Sequence, residues 1–239
     1  MGKKRLLIFF PALVLTFPLF AYLPGDLVLN PELQLGFEIP MIRQNTGYPE
    51  GKEDGSYVSL GFCWGLRLSA SYRLNSFFSV AAGVGFEGVH NQYNFTYYIP
   101  ASETDSYTER WTYDTYYWVI PAGFRAHFRA LSLGAGLSGY IPLFTDFSGE
   151  AKQSNELLPV ADENFKADPF LGAYFDIGYD WAEKDEYPRG FNMNLRVEAS
   201  FSDKIASGNA DYKTFRHIAI SLTAGYSFRA SNLKSGSPP

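Results

Sequence analysis

Three residues come nearest to a hydrolytic set: His217, Ser221 and Glu198. A histidine can take the proton of a serine hydroxyl, and a carboxylate can orient the imidazole. No serine-elbow motif surrounds Ser221, and no catalytic His-x-Ser pattern occurs. The preferred reading therefore assigns these side chains to a polar interior. The other histidines, His90 and His127, stand in no metal-ligand spacing. Cys63 is the single cysteine and reads as a small buried side chain rather than a nucleophile. Gly83/Gly85 and Gly134/Gly136 form G-x-G pairs, but a phosphate loop needs a helix after its glycines. None follows here, so these glycines are expected to make room for neighbouring side chains. The acidic residues between 145 and 168, among them Asp146, Glu150, Glu156 and Asp162, match no calcium loop. Neither a catalytic nor a cofactor nor a metal site is expected, and the chain reads as a non-enzyme.

The elements that carry these residues alternate with a period of two, the signature of strands whose side chains point to opposite faces. In the stretch YYWVIPAGFRAHF, Tyr116, Trp118, Ile120, Ala122, Phe124, Ala126 and Phe128 make one face. Tyr117, Val119, Pro121, Gly123, Arg125 and His127 make the other. Seven further segments show the same division. Their apolar sets begin at Leu33, Val58, Phe78, Leu131, Leu171, Phe191 and Ile218. The opposite face carries Glu32, Glu38, Arg67, Glu87, Arg125, Asp176, Asp180, Arg196 and Glu198. Links alternate in length: long at 43–56, 90–110, 145–168 and 203–214, and short at 73–76, 129–130 and 183–189.

Composition narrows the class. The chain has 239 residues, 17 Tyr, 21 Phe and 22 Gly, and a net charge of −5, which argues against nucleic acid as a partner. MGKKR followed by LLIFFPALVLTFPLFA has the flanks and length of a secretory signal peptide over 1–21, with cleavage after Ala21. No later apolar run is long enough for a helical span, so any membrane crossing must be a closed barrel. Lysines fall in the leader, the links, their edges and the tail, and none within a strand. A soluble lipocalin-like barrel, the competing architecture, would carry lysine on its solvent face. Aromatics gather at strand ends, as girdles at a lipid–water boundary do.

The segments YYWVIPAGFRAHF (116–128), LGAGLSGYIPLF (133–144) and ISLTAGYSF (220–228) resemble the small outer-membrane β-barrel domain proteins of Gram-negative and related didermic bacteria, the eight-stranded OmpA/OmpW-like barrels. The resemblance covers nearly the whole chain after the leader. It implies an all-β, eight-stranded antiparallel transmembrane barrel over 22–229, with long extracellular loops, short periplasmic turns and both termini periplasmic. Residues 230–239 would form a periplasmic tail. Tyr226 and Phe228 are similar to the terminal aromatic signal read by the barrel-insertion machinery. The implied partners are that machinery, outer-membrane lipid, and an extracellular ligand or host surface met by the loops. A structural or surface-interaction role follows, with a narrow solute channel as the alternative and a lipid-modifying barrel enzyme as a more distant one.

Inside such a barrel, charge is costly unless paired. Glu38, Arg67, Glu87, Arg125, Asp176, Arg196 and Glu198 are therefore expected to form a lumen network. A turn centred near Glu186 would set Asp176 opposite Arg196.

Overall fold

The computed structural model describes residues 27–44, 53–75, 77–98, 106–128, 130–153, 156–158, 167–181, 189–202 and 212–229. The proposed leader, the tail and most of the expected loop residues lie outside these ranges. The strands are β1 (Leu27–Gln44), β2 (Glu53–Arg73), β3 (Phe78–Tyr98), β4 (Ser106–Phe128), β5 (Leu131–Gln153), β6 (Glu156–Leu158), β7 (Phe170–Asp180), β8 (Arg189–Ser200) and β9 (Tyr212–Arg229).

Eight of them close on themselves. Each of β1–β5 pairs antiparallel with its sequence neighbour, β5 pairs with β7, β7 with β8, β8 with β9, and β9 returns to β1. The three-residue β6 folds back on the end of β5 outside this ring. Closure leaves no edge across the band where the ring is complete, the condition for exposing strands to hydrocarbon. Among the described residues no helix is long and apolar enough to cross a membrane.

The burial pattern is inverted relative to a soluble sheet. Alternate residues of β1 are exposed apolar and buried polar: Leu33 is 61% exposed, whereas Glu38 is 1% exposed. Outward-facing Leu66, Phe124, Phe175, Leu195 and Leu222 are all exposed, and inward-facing Arg67, Asp176, Asn194, Arg196 and Thr223 are all buried. A lipocalin-like barrel needs the reverse, so the lipid-facing assignment holds and the soluble alternative does not. From Phe191 to Phe201, both exposed, a strand rising about 3.4 Å per residue and tilted about 40° spans roughly 25 Å, the height of a barrel's apolar band.

Aromatic clusters border that band. Trp64, Phe86, Tyr116, Trp118 and Phe144 are linked through ring contacts of 4.3–6.3 Å across β2–β5. Trp64 lies over Gly88, where a side chain of any size would meet the indole. At the short-turn end, Tyr179 meets Trp181, and Tyr226 touches both Phe191 and Phe228. The β2–β3 turn is fixed by Asn75, whose Oδ1 accepts from the backbone N–H of Phe77 and Phe78 at 2.8 and 2.9 Å. Asn side chains close turns in this way.

Two expected long links are partly strand. β3 continues through Tyr98, β4 starts at Ser106, and β5 continues through Gln153. From His90 to Tyr98 the backbone of β3 stays paired with β4, from His90↔Asp114 up to Tyr98↔Ser106. The sequence reading took polarity there as a sign of loop; hydrogen-bonded strands need no apolar face once they leave the lipid band. One irregularity lies at Leu143, where β5 bulges so that Tyr116 pairs with Phe144 but Tyr117 with Pro142. The barrel is therefore uneven in height. β3–β5 have 21, 23 and 23 residues, but β7 and β8 only 11 and 12.

Candidate functional site: the charged lumen

The inward face of the strands makes a filled lumen with three storeys. At the short-turn end, Asn192 Nδ2 donates to Ser227 Oγ at 2.9 Å, and Ser227 Oγ donates to Asp180 Oδ2 at 2.8 Å. Ser79 Oγ and His127 Nε2 lie 2.8 Å apart at the same end.

The middle storey holds most of the charge. Asp176 lies directly across from Arg196 in the β7–β8 ladder. Its Oδ2 accepts from Arg196 Nη2 at 3.0 Å, and its Oδ1 accepts from Arg125 Nη2 at 3.1 Å. Asp176 thus serves two arginines, where register alone had named one. The Arg196 guanidinium also stacks on Tyr174, 4.0 Å from the ring centre. Arg67 Nη2 donates to Glu87 Oε2 at 2.9 Å, and Gln34 Nε2 donates to the same oxygen at 3.3 Å. Glu32 accepts from Asn194 at 3.3 Å, and Glu198 accepts from Ser138 at 3.2 Å.

Glu38 stands nearer the long-strand end, where Asn91 donates to it at 3.3 Å. Asp176 and Glu87 accept from guanidinium groups, whereas Glu32, Glu38 and Glu198 accept from neutral amides or hydroxyls.

Above the charges the lumen is closed by rings. Tyr140 and Phe170 stack at 4.2 Å, Tyr117 meets both edge-on, and His217 stands edge-on to Tyr140 and Phe170. Val89, Cys63 and Val119 complete a buried apolar cluster with them. Cys63 is fully buried, a small side chain inside the fill.

Glycine on a neighbouring strand gives five of the bulky lumen groups their space. Arg67 lies across from Gly85, Glu87 from Gly65, Glu38 from Gly61, Asp176 from Gly134, and Tyr174 from Gly136. A Cβ on Gly134 would lie 2.9 Å from Asp176 Cγ, and one on Gly85 would lie 2.7 Å from Arg67 Cγ. The G-x-G pairs are thus seats for the side chains opposite them, and no helix follows them.

The hydrolytic set does not assemble. His217 and Ser221 share the inner face of β9 but lie four residues apart along a strand, which separates their Cα atoms by about 13 Å. The cross-strand neighbours of Ser221 are Arg196 and Gly36. The backbone N–H of His217 donates to Ser200 Oγ at 2.8 Å, and Glu198 is held by Ser138. A serine–imidazole contact, Ser79 with His127, escaped the sequence reading because the residues lie 48 apart on different strands. Its signal was their shared inward parity. Ser79 is 0% exposed, so its hydroxyl presents nothing to a substrate. No group of three His, Cys, Asp or Glu stands close enough to hold a metal among the described residues.

Tyr226 and Phe228 project outward at the short-turn end of β9, half-buried and exposed respectively, with their rings 4.8 Å apart.

No protein-family model matches the sequence, and no curated protein does. Solved structures similar to the chain include Neisserial surface protein A, NspA (11% identity, 86% of this chain and 97% of that one, TM-score 0.34). Others are the outer membrane protein OprG from Pseudomonas aeruginosa (12% identity, 86% and 97%, TM-score 0.38) and the outer membrane protease OmpT from Escherichia coli (8% identity, 86% and 97%, TM-score 0.38). Overlap this loose assigns no role. The architecture stands on its own geometry: by its closed eight-strand wall, its exposed apolar band and its charged, filled lumen, the chain is a small outer-membrane-type β-barrel.

Proposed function

We propose that this protein is a closed, non-enzymatic outer-membrane barrel with a structural or surface-interaction role. The observation that carries the reading is the filled lumen, in which Tyr117, Tyr140, Phe170 and His217 seal a charged middle storey. An eight-stranded ring is normally just wide enough for side chains to fill it. The lumen network of Glu38, Arg67, Glu87, Arg125, Asp176, Arg196 and Glu198 then acts as an internal clamp between strands. The working surface is the part of β2–β5 that rises past the Trp64–Phe144 aromatic row, together with the links it carries.

In this reading residues 1–21 direct export and are removed, 22–229 form the barrel, and 230–239 remain as a tail beside the N-terminus in the periplasm. Tyr226 and Phe228 form the signal for the insertion machinery. Lipid surrounds the apolar band, and a ligand or host surface meets the raised strands. The full burial of Ser79 and the separation of His217 from Ser221 support the absence of catalysis.

Planar-bilayer recording on the pure refolded protein tests the proposal. A silent bilayer is expected. Steady unitary openings would refute closure and favour the narrow-channel alternative. Hydrolysis of a labelled ester or phospholipid substrate above that of a His217→Ala, Ser79→Ala double variant would refute the non-enzymatic reading.

A further inference from the structure

The β2–β3 turn carries two large, exposed apolar side chains. Leu74 is 55% exposed and Phe77 60% exposed, and Phe78, the first residue of β3, is exposed beside them. A turn that stands in water is normally polar. The link between β7 and β8, at the same end of the barrel, has that character and includes Glu183, Lys184, Asp185 and Glu186.

The backbone of the β2–β3 turn is satisfied by the chain itself. The N–H groups of Leu74 and Asn75 donate to the carbonyl of Phe78 at 2.9 and 3.3 Å. Those of Phe77 and Phe78 donate to Asn75 Oδ1. The carbonyl of Phe77 accepts from the N–H of His127 on β4 at 2.7 Å. Four amides and two carbonyls of the turn therefore need no water, which is the condition for placing backbone in lipid.

The height of the turn agrees. On the outward face, His90, Asp114 and Asp146 follow the aromatic row, and His90 Nδ1 lies 2.5 Å from Asp114 Oδ1. These polar groups mark where lipid ends on that side. Along β3, ten residues separate Phe78 from Gly88, the last outward position before His90. At about 3.4 Å per residue and a tilt of about 40°, that is roughly 26 Å, the full height of an apolar band. Phe78 thus lies at the opposite boundary, with Leu74 and Phe77 beside it. The outward wall of β2 and β3 runs down to this point through exposed Leu66, Leu68 and Val84, so the turn continues a surface that lipid already covers.

We propose that the β2–β3 turn is a lipid-binding knob, with Leu74 and Phe77 seated among the phospholipids of the leaflet at the short-turn end. There it fixes the depth of the barrel on its β2–β3 side. Continuity with the lipid-facing wall and the internally bonded backbone favour phospholipid over a protein partner.

The test uses the full mature chain folded in phosphatidylcholine nanodiscs with one barrel per disc, which leaves both membrane faces open to solvent. Cys63 is fully buried and does not compete for a thiol reagent. Phe77→Cys, Leu74→Cys, Leu66→Cys and Asp146→Cys variants are each labelled after folding with a small environment-sensitive dye. Leu66 calibrates the lipid wall, and the exposed Asp146 calibrates water. Two quenchers are compared, phospholipid carrying a nitroxide near its glycerol and iodide in the buffer. The labels at 74 and 77 should emit to the blue of the label at 146, be quenched by the nitroxide lipid, and be quenched several-fold less by iodide than the label at 146. Emission and iodide quenching at 74 and 77 that match those at 146 would put the turn in water and overturn the proposal.

Discussion

Removing the carboxylate of Asp176 tests the lumen network most directly. Asp176 is 1% exposed and accepts from Arg196 at 3.0 Å and from Arg125 at 3.1 Å. In Asp176→Ala both arginines lose their acceptor. The side chain of Arg196 is 9% exposed and cannot recover water, so its uncompensated charge should cost about 3–5 kcal/mol. The side chain of Arg125 is 21% exposed and part-hydrated, and its share should stay near or below about 1 kcal/mol. Asp176→Ala with Arg196→Met removes both buried charges and should recover most of the loss, since replacing a buried pair by apolar groups is often nearly neutral. Recovery should be incomplete, because Arg125 keeps no partner for its Nη2. Adding Arg125→Met to the double variant should then change little. The assay is equilibrium urea unfolding in lipid vesicles, read by tryptophan fluorescence and by the heat-dependent shift of folded barrel on a gel. If the double variant is as unstable as the sum of the two singles, the pair does not interact and the β7–β8 register is wrong. A loss below about 1 kcal/mol for Asp176→Ala would mean that water already reaches the middle storey freely.

Other outcomes follow from the same geometry. Leu66→Lys and Leu195→Lys, both outward, should each cost about 2–4 kcal/mol if they lie near the midplane, while Ser69→Lys, inward and only partly buried, should cost clearly less in the same refolding assay. Asn194→Lys, though also inward, should be costly, because Asn194 is 4% exposed and already bonded to Glu32 and Thr223. Gly134→Val should destabilise the barrel by about 1–3 kcal/mol by displacing Asp176, and a paired Asp176→Ala should remove most of that added cost. Equal losses with and without Asp176 would disprove the seating of that carboxylate on glycine. Ser79→Ala should cost about 1 kcal/mol through its lost hydrogen bond to His127 and leave the gel shift intact.

The two-residue alternation is strong enough to place nearly every inward and outward side chain of the eight walls, because a lipid-facing strand has no freedom to mix its faces. It also sets Asp176 across from Arg196, since a short turn fixes the register of a hairpin. What the alternation does not carry is distance around the ring. Arg125 reaches Asp176 over the intervening β5, and Asn194 reaches Glu32 through β9. Such contacts depend on barrel curvature and on glycines that let side chains lie flat. The strand ends beyond the lipid were misread for another reason. There polarity stops reporting secondary structure, so Gln92, Asn94 and Thr96 looked like loop although each keeps a ladder partner. The Ser79–His127 contact needed the three-dimensional ring, since no short motif relates residues 48 apart.

The glycine seats limit how this lumen can change over evolutionary time. Arg67 rests over Gly85 and Asp176 over Gly134, so each of these large interior groups has an empty position beside it. Moving a charge to the next strand takes two substitutions, one that adds bulk and one that clears it. Whichever comes first leaves a collision or a hole in a wall with little stability to spare. Drift in such a barrel should therefore proceed by coupled exchanges between neighbouring strands, with single changes confined to the lipid face and the raised strand ends. Homologous chains should show glycine and charge trading places as pairs, and lumen positions that seem variable one at a time should prove nearly constant when summed across a strand pair.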